Sequence, residues 1–187
     1  MIKRKNVIFT AIVFFGLYIL LAYNQLVTKD QGVQSQWAQV ETQYQRRFDL
    51  IPNLVSTAKK YMDHEHSIFT ELAAARALYS QGPVDTKVKA AAQMDTALSK
   101  LLAIAENYPD LKANQTMMQL MDELAGTENR VSVERMRFNQ AVQVYNTQIR
   151  QFPRAIIAKI FGFGSKNYLE SEAAAKKAPV VSELFAK

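Results

Sequence analysis

The stretch QYQRRFDLIPNLV, residues 43–55, decides how the rest of the chain is read. It places two adjacent arginines, an aspartate and a proline inside a helical pattern. If Pro52 ends a helix, the chain turns there. If it does not, one long helix runs through. The residues around it repeat with alternating spacings of four and three: Val33, Trp37, Val40, Tyr44, Arg47, Ile51, Leu54, Ala58, Tyr61, Glu65, Ile68, Leu72, Ala75 and Tyr79. Twelve of these fourteen positions are apolar or aromatic, so they form the seam of a helix packed as in a coiled coil. The phase crosses Pro52 without a slip, and FDLIP lacks the Gly or Asn that a tight loop favours. The pattern predicts one helix over 28–80, kinked at Pro52. The alternative is that Asp49 caps a new helix with Pro52 in its first turn, which is sterically allowed.

Outward from this helix, the strongest break is SQGPVD at 80–85, where Gly82 stops the helix and Pro83 follows. A second helix is expected over 85–107, with Val84, Val88, Ala91, Leu98, Leu102 and Ala105 in its seam and Asp95 in a polar slot. NYPDLKAN, 107–114, is the next turn. A third helix over 113–151 carries Met117, Leu120, Leu124, Val131, Phe138, Ala141 and Tyr145, with Thr127, Glu134 and Gln148 as polar slots. Phe152-Pro153 ends it, and PRAIIAKIFGFG reads as a short apolar helix closed by Gly162 and Gly164. The tail, 164–187, either lies along the bundle or is loosely ordered.

The N-terminus has its own signature. MIKRK precedes a run of sixteen mostly apolar, uncharged residues, 7–22. The run reaches Val27 with Asn24 and Gln25 as its only strongly polar members, and about 20 residues suffice to span a bilayer. Tyr18 and Tyr23 suit the far interface. A cleaved signal peptide is the rival reading, but a cut after Ala22 would put the large Leu20 at a position that favours small residues. Lys3, Arg4 and Lys5 lie before the span, and only Lys29 follows before Arg46. This bias puts the N-terminus in the cytoplasm of a bacterium and the body in the periplasm or cell exterior. The organisation expected is an anchor over 1–27, a bundle over 28–163 and a tail.

The charge of +6 is not spread over the body. Residues 1–5 carry +3 and 150–187 carry +4, while 6–149 are close to neutral at −1. Without a basic stripe interleaved with aromatics, nucleic-acid binding is rejected. The chain has no cysteine, so disulfide and thiol chemistry are excluded. In DHEH, 63–66, the two histidines are two residues apart and diverge around a helix, so they do not form a zinc pair. The H-E-x-x-H pattern is absent because Ile68 stands where its second histidine would be. No catalytic residue, cofactor or metal site is expected, and no enzyme.

Several blocks together resemble the LemA family: YNQLV, WAQVETQYQRRFDLIPNLV, AENYPDLKANQ, ELAGTENRV, R-x-R-F-N-x-A-V-x-x-Y-N-T and FP-x-x-IIAKIFGF. They keep the family's order over 23–163. Met117-Met118 and Phe138 depart from its usual aromatics but remain bulky and apolar. The resemblance implies a membrane-anchored protein whose soluble part is a long antiparallel helical bundle, without enzymatic activity. It also implies kinship with proteins of magnetosome membranes and genomic company with a membrane metalloprotease. The fold expected is all-α: a transmembrane helix, an elongated antiparallel bundle of three long helices and a short C-terminal helix.

Three groups of residues are candidates for function. Arg46, Arg47, Asp49 and Glu65 form a polar seam, paired across the bundle with partners such as Glu128, Glu134, Arg130 or Arg135, or else facing an acidic headgroup or a partner carboxylate. Phe152, Pro153, Arg154, Ile156, Ile157, Lys159, Ile160, Phe161 and Phe163 either plug the bundle end or lie at a membrane interface. Val33, Trp37 and Val40 are expected to meet a second copy, because a second helix of ~35 Å cannot cover a first of ~80 Å. Three alternating helices would also leave 152–164 far from the anchor, unless the chain doubles back. The partners expected are the lipid bilayer, further copies of the chain and a membrane protein. Two functions follow: a scaffold that self-associates and organises membrane or envelope proteins, or an adaptor for a membrane protease or another envelope complex.

Overall fold

The computed structural model describes residues 4–62 and 64–169. The described chain is all-helical, a long apolar helix followed by further helices. Its elements are α1 (Arg4–Ala58), α2 (His66–Gln81), α3 (Val84–Ala105), α4 (Pro109–Lys112), α5 (Gln115–Arg150) and α6 (Arg154–Ile160).

Pro52 lies inside α1, as its unbroken phase predicts, but the helix stops six residues later. The expected single helix over 28–80 is therefore two helices, joined by residues 59–65. That connection is seven residues long, one full repeat. The seam thus keeps its phase from Ala58 to Ile68 although the chain reverses between them. In KKYMDHEH only Asp63 favours a turn, and neither Gly nor Pro is present. Tertiary burial makes it: Met62 is 1% exposed, and the Tyr61 hydroxyl accepts a hydrogen bond from Asn114 Nδ2 at 3.1 Å. By folding back, α2 buries Ile68, Leu72, Ala75 and Tyr79, which an uninterrupted helix would carry away from the core.

Contacts divide the chain into two compact units, residues 42–131 and residues 4–41 with 132–169. In the first, four helical segments alternate in direction. Phe48 stacks on Tyr79 at 4.3 Å and Lys59 Nζ lies 5.5 Å from the Phe69 ring, so α2 returns along α1. Lys100 on α3 pairs with Glu71 on α2 at 2.8 Å across the tight turn at Gly82-Pro83. A Cβ at Gly82 would lie 2.4 Å from Thr86 Cβ, so the turn requires glycine. Asn114 caps α5, its Oδ1 accepting from Met117 N–H at 3.0 Å. Leu54, Leu72, Met94, Leu101 and Leu111 are completely buried, each worth roughly 1.5–3 kcal/mol of transfer free energy. Ala91, Leu98 and Ala105 of the expected α3 seam are buried, but Val84 and Leu102 are exposed, and Met94 and Leu101 join the inward face. Alanine occupies so many α3 positions that adjacent stripes both read as apolar, and the buried face takes residues from each.

In the second unit, the N-terminal part of α1 runs antiparallel to the C-terminal part of α5. Gln36 Nε2 donates to Glu134 Oε2 at 2.8 Å, and the Trp37 and Phe138 rings meet edge to face at 5.9 Å. Leu26, Val33 and Val40 are buried with Val142, Tyr145 and Ile149. The large apolar side chains from Val7 to Leu17, with Leu20 and Leu21, are exposed, and this part of α1 is long and apolar enough to cross a membrane.

The hairpin has a direct distance test. Spin labels at positions 56 and 77 would be ~31 Å apart along one continuous helix. Neighbouring antiparallel helices instead predict less than about 20 Å, label arms included. Pro52→Ala is expected to leave that distance unchanged and to raise stability slightly, because it restores a backbone donor to α1.

Candidate membrane-interface site

The site lies where α1 changes character. Up to Leu21 most of its apolar side chains are exposed; Ala22 and Leu26, at 3% and 1% exposure, belong to the core. The chain returns to this point through α6. That helix follows Phe152-Pro153 and ends in a reversal that its sequence dictates. Phe161 N–H donates to Ile157 O at 3.0 Å, Gly162 takes φ +76°, and Phe163 N–H donates to Ala158 O at 2.9 Å. The left-handed turn favours glycine, and the hydrogen bond over it closes the helix end. Phe161 and Phe163 thereby come to Tyr23, with ring centroids 4.9 and 5.7 Å away. The expectation that 152–164 would lie far from the anchor is corrected. The α1–α2 hairpin adds one reversal, and an even number of alternating segments returns the chain to the end it started from.

The segment's two expected roles fall on different faces. Ile157 and Ala158 are buried, and Phe163 is half-buried against Tyr23. Phe152 (82% exposed), Ile156, Ile160 (71%) and Phe161 point outward, with Pro153 and Lys159 also exposed. Ile156 and Ile160 are one turn apart on one helix face. Arg154 is half-buried; its Nη1 donates to Gln148 Oε1 and its Nη2 to Gln25 Oε1, the latter at 2.6 Å.

After Gly162 the chain runs along α5, held by side-chain amides. Asn146 donates to Lys166 O and accepts from Lys166 N–H, both at 2.9 Å. Asn139 does the same with Leu169, again at 2.9 Å. Seven helical residues rise ~10.5 Å and three extended residues span ~10 Å, so the two spacings match and each amide meets one backbone pair. Tyr145 adds a hydrogen bond to Gly164 O at 3.0 Å, and Lys166 pairs with Asp30 at 2.6 Å. Burial pushes the Tyr145 phenol above its ordinary 10.0, and the negative charge of Asp30 adds to this. The phenol stays a donor at neutral pH. Because its pKa is raised on folding, its contribution is full below 10.0 and is lost as pH climbs through the raised value. The tail's first residues therefore lie along the helix; 170–187 fall outside the described residues.

The other candidates do not form one site. Arg46 and Asp49 are exposed, Asp49 accepting from Gln45 Nε2 at 2.9 Å. Glu65 is half-buried in the 59–65 connection, away from the α1 seam it was expected to share. Arg47 is buried and its Nη1 pairs with Asp95 at 2.5 Å and with Glu128. Val33 and Val40 are 3% and 0% exposed and Trp37 is half-buried on Phe138, so α5 covers the stripe that was expected to need a second copy. That expectation is corrected: α1 appeared too long for its cover only because the cover was taken to be the second helix alone. Asn139 and Asn146 were missed. Their visible signal was a pair of asparagines one repeat apart beside the apolar stripe of α5.

An apolar helix of spanning length, with a second amphipathic segment folded against its end, defines a membrane-associated helical protein. The chain belongs to the LemA family, whose model matches residues 36–182. It is 27% identical to magnetosome protein MamQ 2 of Paramagnetospirillum magneticum, covering 94% of this chain and 74% of that protein. Magnetosome protein MamQ of Magnetospirillum gryphiswaldense is 26% identical over the same shares. Protein LemA of Metamycoplasma hominis is 24% identical over 77% of this chain and 70% of its own length.

Proposed function

We propose that this chain is a non-enzymatic scaffold, held in the bacterial cytoplasmic membrane by one span, that organises membrane or envelope proteins. Its N-terminus lies in the cytoplasm and its body in the periplasm or cell exterior. The observation that carries this reading is the return of α6 to Tyr23, which sets the outward-facing Ile156, Ile160 and Phe161 beside the end of the apolar run. A retained anchor is supported because Ala22 and Leu26, core residues, continue the same helix. MIKRK supports the orientation through its three cations. The magnetosome proteins among its relatives support a membrane setting.

In this reading α6 lies on the outer leaflet as a second membrane contact and the helical body projects from it. Copies associate through surfaces other than Val33 and Val40, which the chain covers itself. A periplasm-active reporter fused after Lys187 is expected to work, and a cytoplasm-only reporter to stay silent. The fluorescent full-length fusion in neutral detergent is expected to elute as a homo-oligomer. The opposite reporter pattern would sink the orientation. Elution in a stoichiometric heteromeric complex would replace the scaffold with an adaptor.

A further inference from the structure

Beside the Tyr23 cluster, a separate cavity of about 460 Å³ is lined by Leu21, Asn24, Gln25, Lys29, Gln148 and Arg154, among others. It belongs to the same compact unit, and its chemistry is one-sided. Arg154 and Lys29 bring two positive charges, and no acidic side chain lines the cavity among the described residues. Arg154 meets no carboxylate among the described residues; its two partners are the neutral amide oxygens of Gln25 and Gln148. Those bonds occupy the amide oxygens and leave the amide nitrogens of both glutamines without an acceptor among the described residues. Asp30, the nearest acid along α1, is engaged by Lys166. A guanidinium has five N–H donors, so Arg154 keeps several beyond the two used here. The cavity therefore presents donors and positive charge, and what it lacks is an anionic acceptor.

Its position adds the second requirement. Leu21 is 55% exposed and closes the apolar run of α1, so the cavity opens where that run ends. A ligand that fits has a phosphate head and an apolar body that continues along α1. We infer that this cavity binds the phosphate of an anionic phospholipid, with Arg154 as the principal contact and Lys29 as the second charge. Two carriers of that phosphate are conceivable, a lipid headgroup and a free anion, and Leu21 favours the lipid. Arginine suits this task because its planar fork matches two phosphate oxygens at once.

The inference rests on the proposed membrane anchoring, and its test separates the two. Full-length protein in neutral detergent is titrated with phosphatidylglycerol, phosphatidylcholine or inorganic phosphate, reading thermal stability and the lipid retained in native mass spectra. Phosphatidylglycerol is expected to stabilise and to be retained; phosphatidylcholine and inorganic phosphate are not. Losing one charge-assisted contact corresponds to an affinity drop of about tenfold or more, expected for Arg154→Gln. Lys29→Gln, at an exposed position outside the core, is expected to weaken retention less and guards against a folding defect in the first variant. Lys89→Gln, on α3 and far along the chain, is expected to behave as the unaltered protein. Equal response to both lipids, or undiminished phosphatidylglycerol retention in both Arg154→Gln and Lys29→Gln, overturns the site. Equal stabilisation by inorganic phosphate overturns the lipid as its ligand. Resistance of the protein to alkaline carbonate extraction from membranes reports on the anchor alone. Its loss would sink the anchoring, whereas lost lipid selectivity with intact anchoring would sink only the site.

Discussion

Arg47→Ala is expected to lower the stability of residues 42–131 by about 3 kcal/mol, because it takes the cation out of a buried ion cluster. The guanidinium is almost fully buried and meets two carboxylates, Asp95 on α3 and Glu128 on α5. Without it, two negative charges face each other across the bundle. The cost sits at the lower end of the range for such losses because the Glu128 side chain is 38% exposed and water screens it. For a protein of this size the shift in Tm is roughly 6–12 °C, at roughly 2–4 °C per kcal/mol. Arg47→Met fills the same space, so its deficit is confined to the two lost ion pairs. Arg47→Met with Asp95→Asn and Glu128→Gln removes those charges too and is expected to recover most of the loss. Calorimetry of the four proteins gives the comparison. An unchanged Tm for Arg47→Ala would mean that the cluster holds nothing together, and would move Arg47 toward a role in binding.

Asn139→Ala combined with Asn146→Ala is expected to release the chain after Gly164 from α5. Four hydrogen bonds disappear, all of them between a side-chain amide and the backbone of Lys166 or Leu169. At about 1 kcal/mol net for each, the docking of this stretch weakens by about 4 kcal/mol. Amide exchange at Lys166 and Leu169 then accelerates by up to about a thousandfold, while exchange in α2 and α3 is unaltered. Trypsin is expected to cut after Lys166 in the double variant under conditions that spare the unaltered protein. Asn146→Asp keeps the acceptor for Lys166 N–H and loses only the donor, so its effect is about half that of Asn146→Ala. Wild-type exchange at Leu169 in the double variant would show that the asparagine pairs do not hold the segment.

The polar positions show how far a linear reading reaches. Arg47, Asp95, Thr127 and Glu134 were all visible as polar interruptions of an apolar seam. Which of them meet is a question about neighbouring helices, and periodicity does not contain it. Asp95 and Glu128 come to Arg47 because α3 and α5 both flank α1, an arrangement created by the hairpin at 59–65. The same hairpin moved the C-terminal segment to the end of the anchor. One missed reversal therefore misplaced a whole candidate site. Asn139 and Asn146 were passed over for a related reason: a polar residue beside a stripe reads as solvent-facing until an extended segment is laid against it.

From its own pattern, the sequence determined the all-helical class, the apolar span of α1, the passage of helix through Pro52, the breaks at Gly82 and Phe152-Pro153, and the inward face of α5. These follow from local physics: the helical period of the apolar residues, proline's missing donor, and glycine's access to left-handed backbone. The end of α1 at Ala58, the burial of Met94 and Leu101 rather than Val84 and Leu102 on α3, the partners of Arg47 and the place of α6 beside Tyr23 were decided by tertiary structure alone. At residues 59–65 no turn-forming residue outweighs helical propensity. The chain reverses because burying Met62 and the apolar face of α2 against α1 outweighs the few backbone hydrogen bonds given up there, and a connection of one full repeat leaves no mark on the seam's phase.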